Sequence, residues 1–335
     1  MSKIKCGMNG FGRFGLHLLN YYLESNNENN FELAYINDDI LDINQALDII
    51  VHDQYVKIYN KFSVKIKDDY LIFNDNIKIK YSNEKSYEIS WIGLPDIFLE
   101  CTGRFTDADL ARKFIVGDTK KVLISATSLN ADKTLIFGFN HEDYNSNDDV
   151  ISYGSCTVNA YIVLTDFINN LFSVKSSDVN VIHNVPEYQL KGGNIHTPGL
   201  PSVPILRKGC TLSIVAPKLL KYVSDNNFNV NYTLIPYTGV SIIDFRYSLE
   251  KKPTSKIWET IEEASLEGRL KGLYSIQEKD NGPSQHQNSK YSAILIKENS
   301  YIKEKDLYIN AYFDNENSVN RFFDLTNFLS KILRD

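Results

Sequence analysis

The chain has few cysteines, and no pattern that would turn them into a metal site or a disulfide framework. Four occur in 335 residues, at 6, 101, 156 and 210, and none has the paired spacing of zinc ligands. Basic residues are in deficit. Lys and Arg number 36 against 42 Asp and Glu, a formal charge of −6 with no polybasic run, which argues against nucleic acid as the main partner. Long apolar runs are missing too. No stretch of 18 apolar residues occurs, so no membrane span is expected. Met1-Ser2-Lys3-Ile4-Lys5 leads straight into a strand-like segment, and no signal peptide is expected. No internal repeat stands out, and the Asn-rich piece at 26–30 reads as a solvated loop. What remains is 43% hydrophobic and 23% charged residues, ordinary for a globular protein, and a cytoplasmic location with reduced thiols is expected. The length suits two domains better than one core.

Hydrophobic periodicity changes near the middle. Ile4–Met8 predicts a strand and 13–24 a helix. Phe31–Ile36 predicts a second strand ending at Asn37-Asp38-Asp39, and 43–51 a helix. Residues 55–90 hold short alternating segments, at 62–67, 70–73 and 77–81, that read as antiparallel hairpins. Strands over 96–100, 121–125 and 133–137 follow, with a helix over 107–114. This βα alternation predicts a doubly wound α/β sheet. Past Cys156 an apolar helix, 160–172, precedes alternating strands at 178–183, 229–236, 240–249, 291–296 and 306–313, and a helix at 258–267. That mix predicts an α+β domain on an antiparallel sheet. Residues 190–209, rich in Gly and Pro, read as a long functional loop, and 318–333 as a terminal amphipathic helix.

Chemistry concentrates at two places. The first strand runs into Gly10-Phe11-Gly12-Arg13-Phe14-Gly15, which opens a helix. Alone, Gly-x-Gly-x-x-Gly also fits a plain tight turn. Between a strand and a helix it has the context that dinucleotide binding requires. Two glycines admit the turn and the close approach of backbone to pyrophosphate, and the third lets helix and strand pack. An acidic residue is expected about 20 residues on, and Asp38 follows Gly15 by 23. Its carboxylate would accept from a ribose hydroxyl and repel a 2′-phosphate, which points to NAD over NADP.

The second place is Gly154-Ser155-Cys156-Thr157-Val158-Asn159. A thiol at a helix start sees the positive end of the macrodipole and unpaired N–H groups, and both favour the thiolate. A buried structural cysteine is the competing reading, against which its polar neighbours argue. His183 follows 27 positions later, and brought close it would complete a thiolate–imidazolium pair. Cys6 and Cys101 lie in apolar strand contexts and read as inert core thiols. His17 is expected to face out of its helix, and His52, His141, His196 and His286 to be structural or surface residues. No metal cluster is expected. A dinucleotide site and a reactive cysteine together suggest oxidation of an aldehyde through a thioester.

Several further segments, in order, resemble the phosphorylating glyceraldehyde-3-phosphate dehydrogenase family over nearly the whole chain. They are Asn9-Gly10-Phe11-Gly12-Arg13, Ile36-Asn37-Asp38, Glu100-Cys101-Thr102-Gly103-Arg104-Phe105-Thr106, Gly138-Phe139-Asn140-His141-Glu142, Ser155-Cys156-Thr157-Val158-Asn159, Val240-Ser241-Ile242-Ile243-Asp244 and Phe313-Asp314-Asn315-Glu316. The resemblance implies Cys156 as nucleophile and His183 as base. It implies Asn9, Gly10, Gly12, Arg13, Phe14, Gly15 and Asp38 as cofactor-binding, with Arg13 and the Phe14 backbone near the pyrophosphate. Thr102, Ser125 and Asn315 would lie toward the nicotinamide. It also implies a homotetramer in which the 190–209 loop reaches a neighbour. The expected division is a Rossmann NAD domain over 1–155, with the helix of 316–335 packing back on it, and a catalytic domain over 156–315.

The departures are as informative. The family holds substrate phosphate and inorganic phosphate with a Thr three residues after the histidine, an Arg in Arg-Val-Pro and a Ser-Thr-Gly run. Here the first two positions read Pro186 and Leu234, and the nearest run is Ser213-Ile214-Val215. The loop arginines are reduced to Arg207-Lys208, while Ser155 and Thr157 remain. Leucine cannot replace charge-assisted hydrogen bonds worth about 1.5–3 kcal/mol each, and proline removes a backbone donor. Three readings follow. The first is an NAD-dependent aldehyde dehydrogenase of this family with an altered substrate, its anion contacts at most Ser155, Thr157 and Arg207. The second keeps the glycolytic reaction, with Arg207, Lys208, Lys218 or Arg246 supplying relocated contacts. The third is a non-catalytic NAD-binding paralogue, against which the intact Cys156, His183 and Asn315 argue.

Overall fold

The computed structural model describes residues 3–25, 28–185, 206–236, 239–313 and 315–335. The chain divides into two compact units, Met1–Gly154 with Val319–Asp335, and Ser155–Ser318.

In the first unit the described elements run β1 (Ile4–Asn9), α1 (Arg13–Ser25), β2 (Phe31–Asn37), α2 (Ile43–His52), β3 (Val64–Lys67), β4 (Tyr70–Phe73), β5 (Ile77–Ser82), β6 (Ile97–Glu100), α3 (Ala108–Ala111), β7 (Lys121–Ile124), β8 (Lys133–Thr134) and β9 (Val150–Ser152). They form a nine-stranded sheet in the order β3-β4-β5-β2-β1-β6-β7-β9-β8. From β5 to β8 every neighbour is parallel, and β3, β4 and β5 make an antiparallel edge. The central strands β6 and β7 are buried at every position, as apolar strands covered on both faces must be. The α2 helix starts where a capping box permits it. Asp42 accepts from the amides of Asn44 and Gln45, and the Gln45 side chain accepts from the Asp42 amide. The strand predicted over 133–137 stops at Thr134. Asn140 folds back there, donating to the Thr134 carbonyl and accepting from the Ile136 amide, so a turn replaces the ladder.

The second unit holds α4 (Cys156–Phe172), β10 (Val174–Asn184), β11 (Leu206–Arg207), α5 (Leu212–Leu219), β12 (Phe228–Ile235), β13 (Ser241–Leu249), α6 (Ile257–Leu266), β14 (Tyr274–Gln277), β15 (Ala293–Lys303) and β16 (Asp306–Phe313). Its sheet runs β11-β12-β10-β13-β16-β15-β14. The expected antiparallel sheet is in fact mixed. β10 pairs parallel with β12, and β14 with β15. Each pair is joined by a long crossover instead of a hairpin turn, and a parallel neighbour needs such a connection. The short β14 and the helix α5, which carries Pro217, gave no periodic signal. The last helix, α7 (Asn315–Arg334), buries Val319, Phe322, Phe323, Leu325 and Leu329 in the main core of the first unit.

Candidate active site

The second unit brings Cys156 and His183 together. The helix predicted from 160 begins four residues earlier, at Cys156, because Ser155 caps it. Ser155 is extended, and its hydroxyl accepts from the Val158 amide at 3.3 Å. Cys156 therefore takes the first helical position, among amides that the helix's own carbonyls cannot reach. It is 8% exposed, buried but not sealed. His183 comes from β10, where alternation turns Val181, His183 and Val185 to the buried face. Its Nε2 lies 3.5 Å from Cys156 Sγ, and its Nδ1 lies 2.7 Å from the Asn184 carbonyl. A carbonyl only accepts, so Nδ1 carries the proton and Nε2 offers its lone pair to the sulfur side. Thr157 Oγ1 stands 3.8 Å from the same sulfur.

The rings of Tyr232 and Phe313 flank the imidazole, centroids 5.6 and 5.8 Å away. Burial, with a smaller repulsion from the neighbouring Cys156, pushes the Tyr232 phenol well above its ordinary range. Tyr232 thus stays a neutral wall at physiological pH. It marks the pocket more plainly than any sequence pattern did, since a lone strand tyrosine has no motif. Leu234 is the in-register neighbour of His183 on β12, and it packs with Val185 and Tyr232 into a small apolar cluster. Arg207 sits on β11 opposite Thr233 and is exposed. Pro186 and most of the 190–209 loop lie outside the described residues, as does the side chain of Asn315 at the start of α7.

The first unit builds the glycine turn from close packing. Gly10 has φ +102°, and a Cβ there would sit 2.7 Å from backbone atoms of Cys101 and Thr102. A Cβ on Gly15 would lie 2.3 Å from the Gly10 carbonyl. Gly12, by contrast, faces open space, with nothing within 4 Å of its would-be Cβ. A turn closed at Gly10 and Gly15 and open at Gly12, leading into a helix whose first-turn amides have no helical carbonyl to bond, fits a pyrophosphate. Asp38 is held in place by this turn. One carboxylate oxygen accepts from the Phe11 amide at 2.7 Å and the other from the amides of Ile40 and Leu41. Arg13 pairs with Asp53 at 3.1 Å and lies over the Tyr55 ring. Phe14 packs edge-on against Tyr153 and Phe322. His17, expected to face outward, is 1% exposed, with Nε2 3.2 Å from the Arg13 guanidinium. The cause is that α1 is buried on nearly all sides from Gly15 to Leu23.

Beneath the turn runs a hydrogen-bond chain that motif reading missed. Trp91 Nε1 donates to Ser82 Oγ, Ser82 to Asn37 Oδ1, Asn37 Nδ2 to Asn9 Oδ1, and Asn9 Nδ2 to Glu100 Oε2. The remaining Asn9 proton goes to Ser86 Oγ, so the Asn9 side chain is committed to scaffold. The other Glu100 oxygen accepts from both the amide and the hydroxyl of Thr102. Ser125 reaches the same strand end through its amide, which donates to the Glu100 carbonyl at 2.9 Å. Glu100 is wholly buried, and burial pushes its carboxyl up to about 7 against those hydrogen bonds and the Arg104 charge. The available signal was a carboxylate ending the otherwise apolar Ile97-Phe98-Leu99. Among the described residues no cluster could hold a metal ion, and no helix is long and apolar enough to cross a membrane.

Comparison with known proteins finds similar sequences along nearly the whole chain. Residues 4–108 match the family described as glyceraldehyde 3-phosphate dehydrogenase, NAD binding domain. A glyceraldehyde-3-phosphate dehydrogenase of Atriplex nummularia is 28% identical, over 99% of this chain and 93% of that protein. A cytosolic one of Dianthus caryophyllus is 28% identical over 94% of each. A cytosolic one of Arabidopsis thaliana is 28% identical over 98% of each.

Proposed function

With the chain a divergent member of the glyceraldehyde-3-phosphate dehydrogenase family and NAD its cofactor, we propose that it oxidises an aldehyde through a thioester on Cys156. The observation that carries the reading is the 3.5 Å approach of Cys156 Sγ to His183 Nε2 at a capped helix start. His183 Nε2 takes the Cys156 proton, the thiolate adds to the aldehyde carbon, and the imidazolium returns that proton to the carbonyl oxygen, which becomes the hydroxyl of a thiohemiacetal. First-turn amides of α4 stabilise the oxyanion on the way. His183 Nε2 then removes the hydroxyl proton while the carbon gives up hydride. NAD, when bound, supplies the hydride acceptor. The product is a thioester, which phosphate or water cleaves to return the thiolate.

The turn at Gly10 to Gly15 would hold the pyrophosphate. Asp38, which spends three acceptor positions on amides, keeps one lone pair for a ribose hydroxyl and its charge against a 2′-phosphate. The aldehyde differs from the family's, because Leu234, packed with Val185 and Tyr232 beside His183, presents carbon where the family pattern implies a guanidinium. A second reading keeps the glycolytic substrate. It has one observation in its favour: β11 pairs with β12 at Leu234 and Thr233, which carries Arg207 and Lys208 to the strand beside the one that bears His183. A cytoplasmic homotetramer completes the proposal, in keeping with relatives named as cytosolic. NAD reduction against phosphorylated and unphosphorylated aldehydes, each with and without inorganic phosphate, tests it. Turnover that requires Cys156 supports the proposal, and no turnover with any aldehyde refutes it.

A further inference from the structure

His183 can act as a base toward Cys156 in only one of its two neutral tautomers. A neutral histidine side chain in water favours the proton on Nε2, which is the wrong one here. The Asn184 carbonyl, 2.7 Å from Nδ1, selects the other. That carbonyl stands where β10 is held on one side only. Toward β13 the described pairing ends at Ile182 opposite Ile242, while toward β12 the Val185 amide, in the same peptide unit as the carbonyl, still donates to the Ile235 carbonyl at 3.0 Å. A strand end held on one edge alone would let the peptide twist about that bond and the tautomer mix.

The side chain of Asn184 is tied down instead. The backbone N–H of Asn184 donates to Ser241 Oγ at 3.0 Å, and Ser241 Oγ donates back to Asn184 Oδ1 at 2.6 Å. Asn184 Nδ2 donates to the Gly239 carbonyl. The directions follow by elimination. The Gly239 carbonyl only accepts, so Nδ2 must face it and Oδ1 must face the serine. Ser241, 1% exposed, accepts from the main chain and donates to the side chain of one residue. That two-point clasp takes the place of the ladder on the β13 side of β10, where the described pairing has stopped. It also opens β13, whose Ser241 pairs with Phe313, the ring edge-on to His183.

We propose that Asn184 and Ser241 are positioning residues that hold His183 in the Nδ1–H tautomer. The inference rests on His183 being the base, so its test reads the tautomer apart from turnover. In a Cys156→Ser chain with ¹⁵N-labelled histidine, above the imidazole titration, His183 gives an Nδ1–H, Nε2-unprotonated pair. The His183→Asn spectrum identifies its signals. Adding Ser241→Ala or Asn184→Ala moves His183 toward Nε2–H, and Ser241→Thr, which keeps the hydroxyl, does not. With Cys156 intact, the two alanine variants lose kcat by at least about tenfold, short of the roughly 10⁴-fold loss seen when a catalytic histidine is left in the wrong tautomer, with KM for NAD unchanged. A His183 that stays Nδ1–H in both alanine variants overturns the proposal. If the unmodified chain oxidises no aldehyde, the proposed reaction fails, and the NMR result still decides the positioning role.

Discussion

Cys156 is set apart from the other three cysteines by its place at the start of α4 with an imidazole 3.5 Å away. Burial pushes the thiols of Cys6, Cys101 and Cys210 upward, so only Cys156 should alkylate quickly at neutral pH. Iodoacetate mapping by mass spectrometry should find it labelled first, and Cys156→Ser should end aldehyde oxidation. Equal labelling of all four thiols would defeat the assignment. His183→Asn should slow hydride transfer by about 10²–10⁴-fold with little effect on NAD affinity, and unchanged single-turnover rates would remove His183 from the role. Asp38→Ala should narrow the preference for NAD over NADP. It should also destabilise the chain by about 1–3 kcal/mol, since three amides lose their acceptor. Equal kcat/KM for the two cofactors in the unmodified chain would contradict the Asp38 reading. At this scale the close packing at Gly10 and Gly15 and the helix start near Cys156 were legible in the sequence, because each rests on a local pattern. His183 was a lone histidine, singled out only by the idea of a pair with Cys156. Tyr232, Asn184 and Glu100 were not legible, because their roles arise from neighbours on other strands.

At the scale of elements, the carboxyl ends of β1, β2 and β6 are joined by the chain from Trp91 to Glu100. The Glu84 amide donates to Asn37 Oδ1 and the Glu84 carbonyl accepts from Asn37 Nδ2, and this backbone pair sets the direction of the amides in that chain. The Glu100 carboxyl is raised to about 7 from an ordinary 4.5 by burial. The neutral form is therefore favoured on folding. Its stabilising contribution is complete below 4.5 and is lost as pH rises through 7, by about 3 kcal/mol at most. Urea unfolding of the unmodified chain and Glu100→Gln should show a gap that shrinks between pH 4.5 and 7. Parallel curves would show that Glu100 ionises as it does when unfolded. The βα alternation of the first unit was legible because parallel strands and helices have different periods. The parallel pairs of the second sheet were not, since the same alternating strand serves either direction and the crossover alone decides. The terminal helix was visible from its apolar stripe, which fills the core of the first unit.

For the whole molecule, the glycine turn and the cysteine–histidine pair sit in separate units, and the proposed reaction requires both. The proposed change of substrate is tested at the residues packed beside His183. With Leu234, Val185 and Tyr232 beside His183, weak or absent turnover of glyceraldehyde 3-phosphate is predicted, and Leu234→Arg should raise it. Robust turnover by the unmodified chain, at a micromolar to low-millimolar KM as is usual for enzymes, would instead favour contacts from Arg207 and Lys208. Whatever the aldehyde, the central claim is an acyl group on Cys156 formed as NAD is reduced. The direct measurement is a stopped-flow trace of NADH under acyl-acceptor-poor conditions, with rapid-quench peptide mass spectrometry on the same samples. The account predicts a burst of about one NADH per chain and an acyl mass on the Cys156 peptide, both missing in Cys156→Ser. NADH formed with no acyl adduct on Cys156, or an undiminished burst in Cys156→Ser, would contradict it.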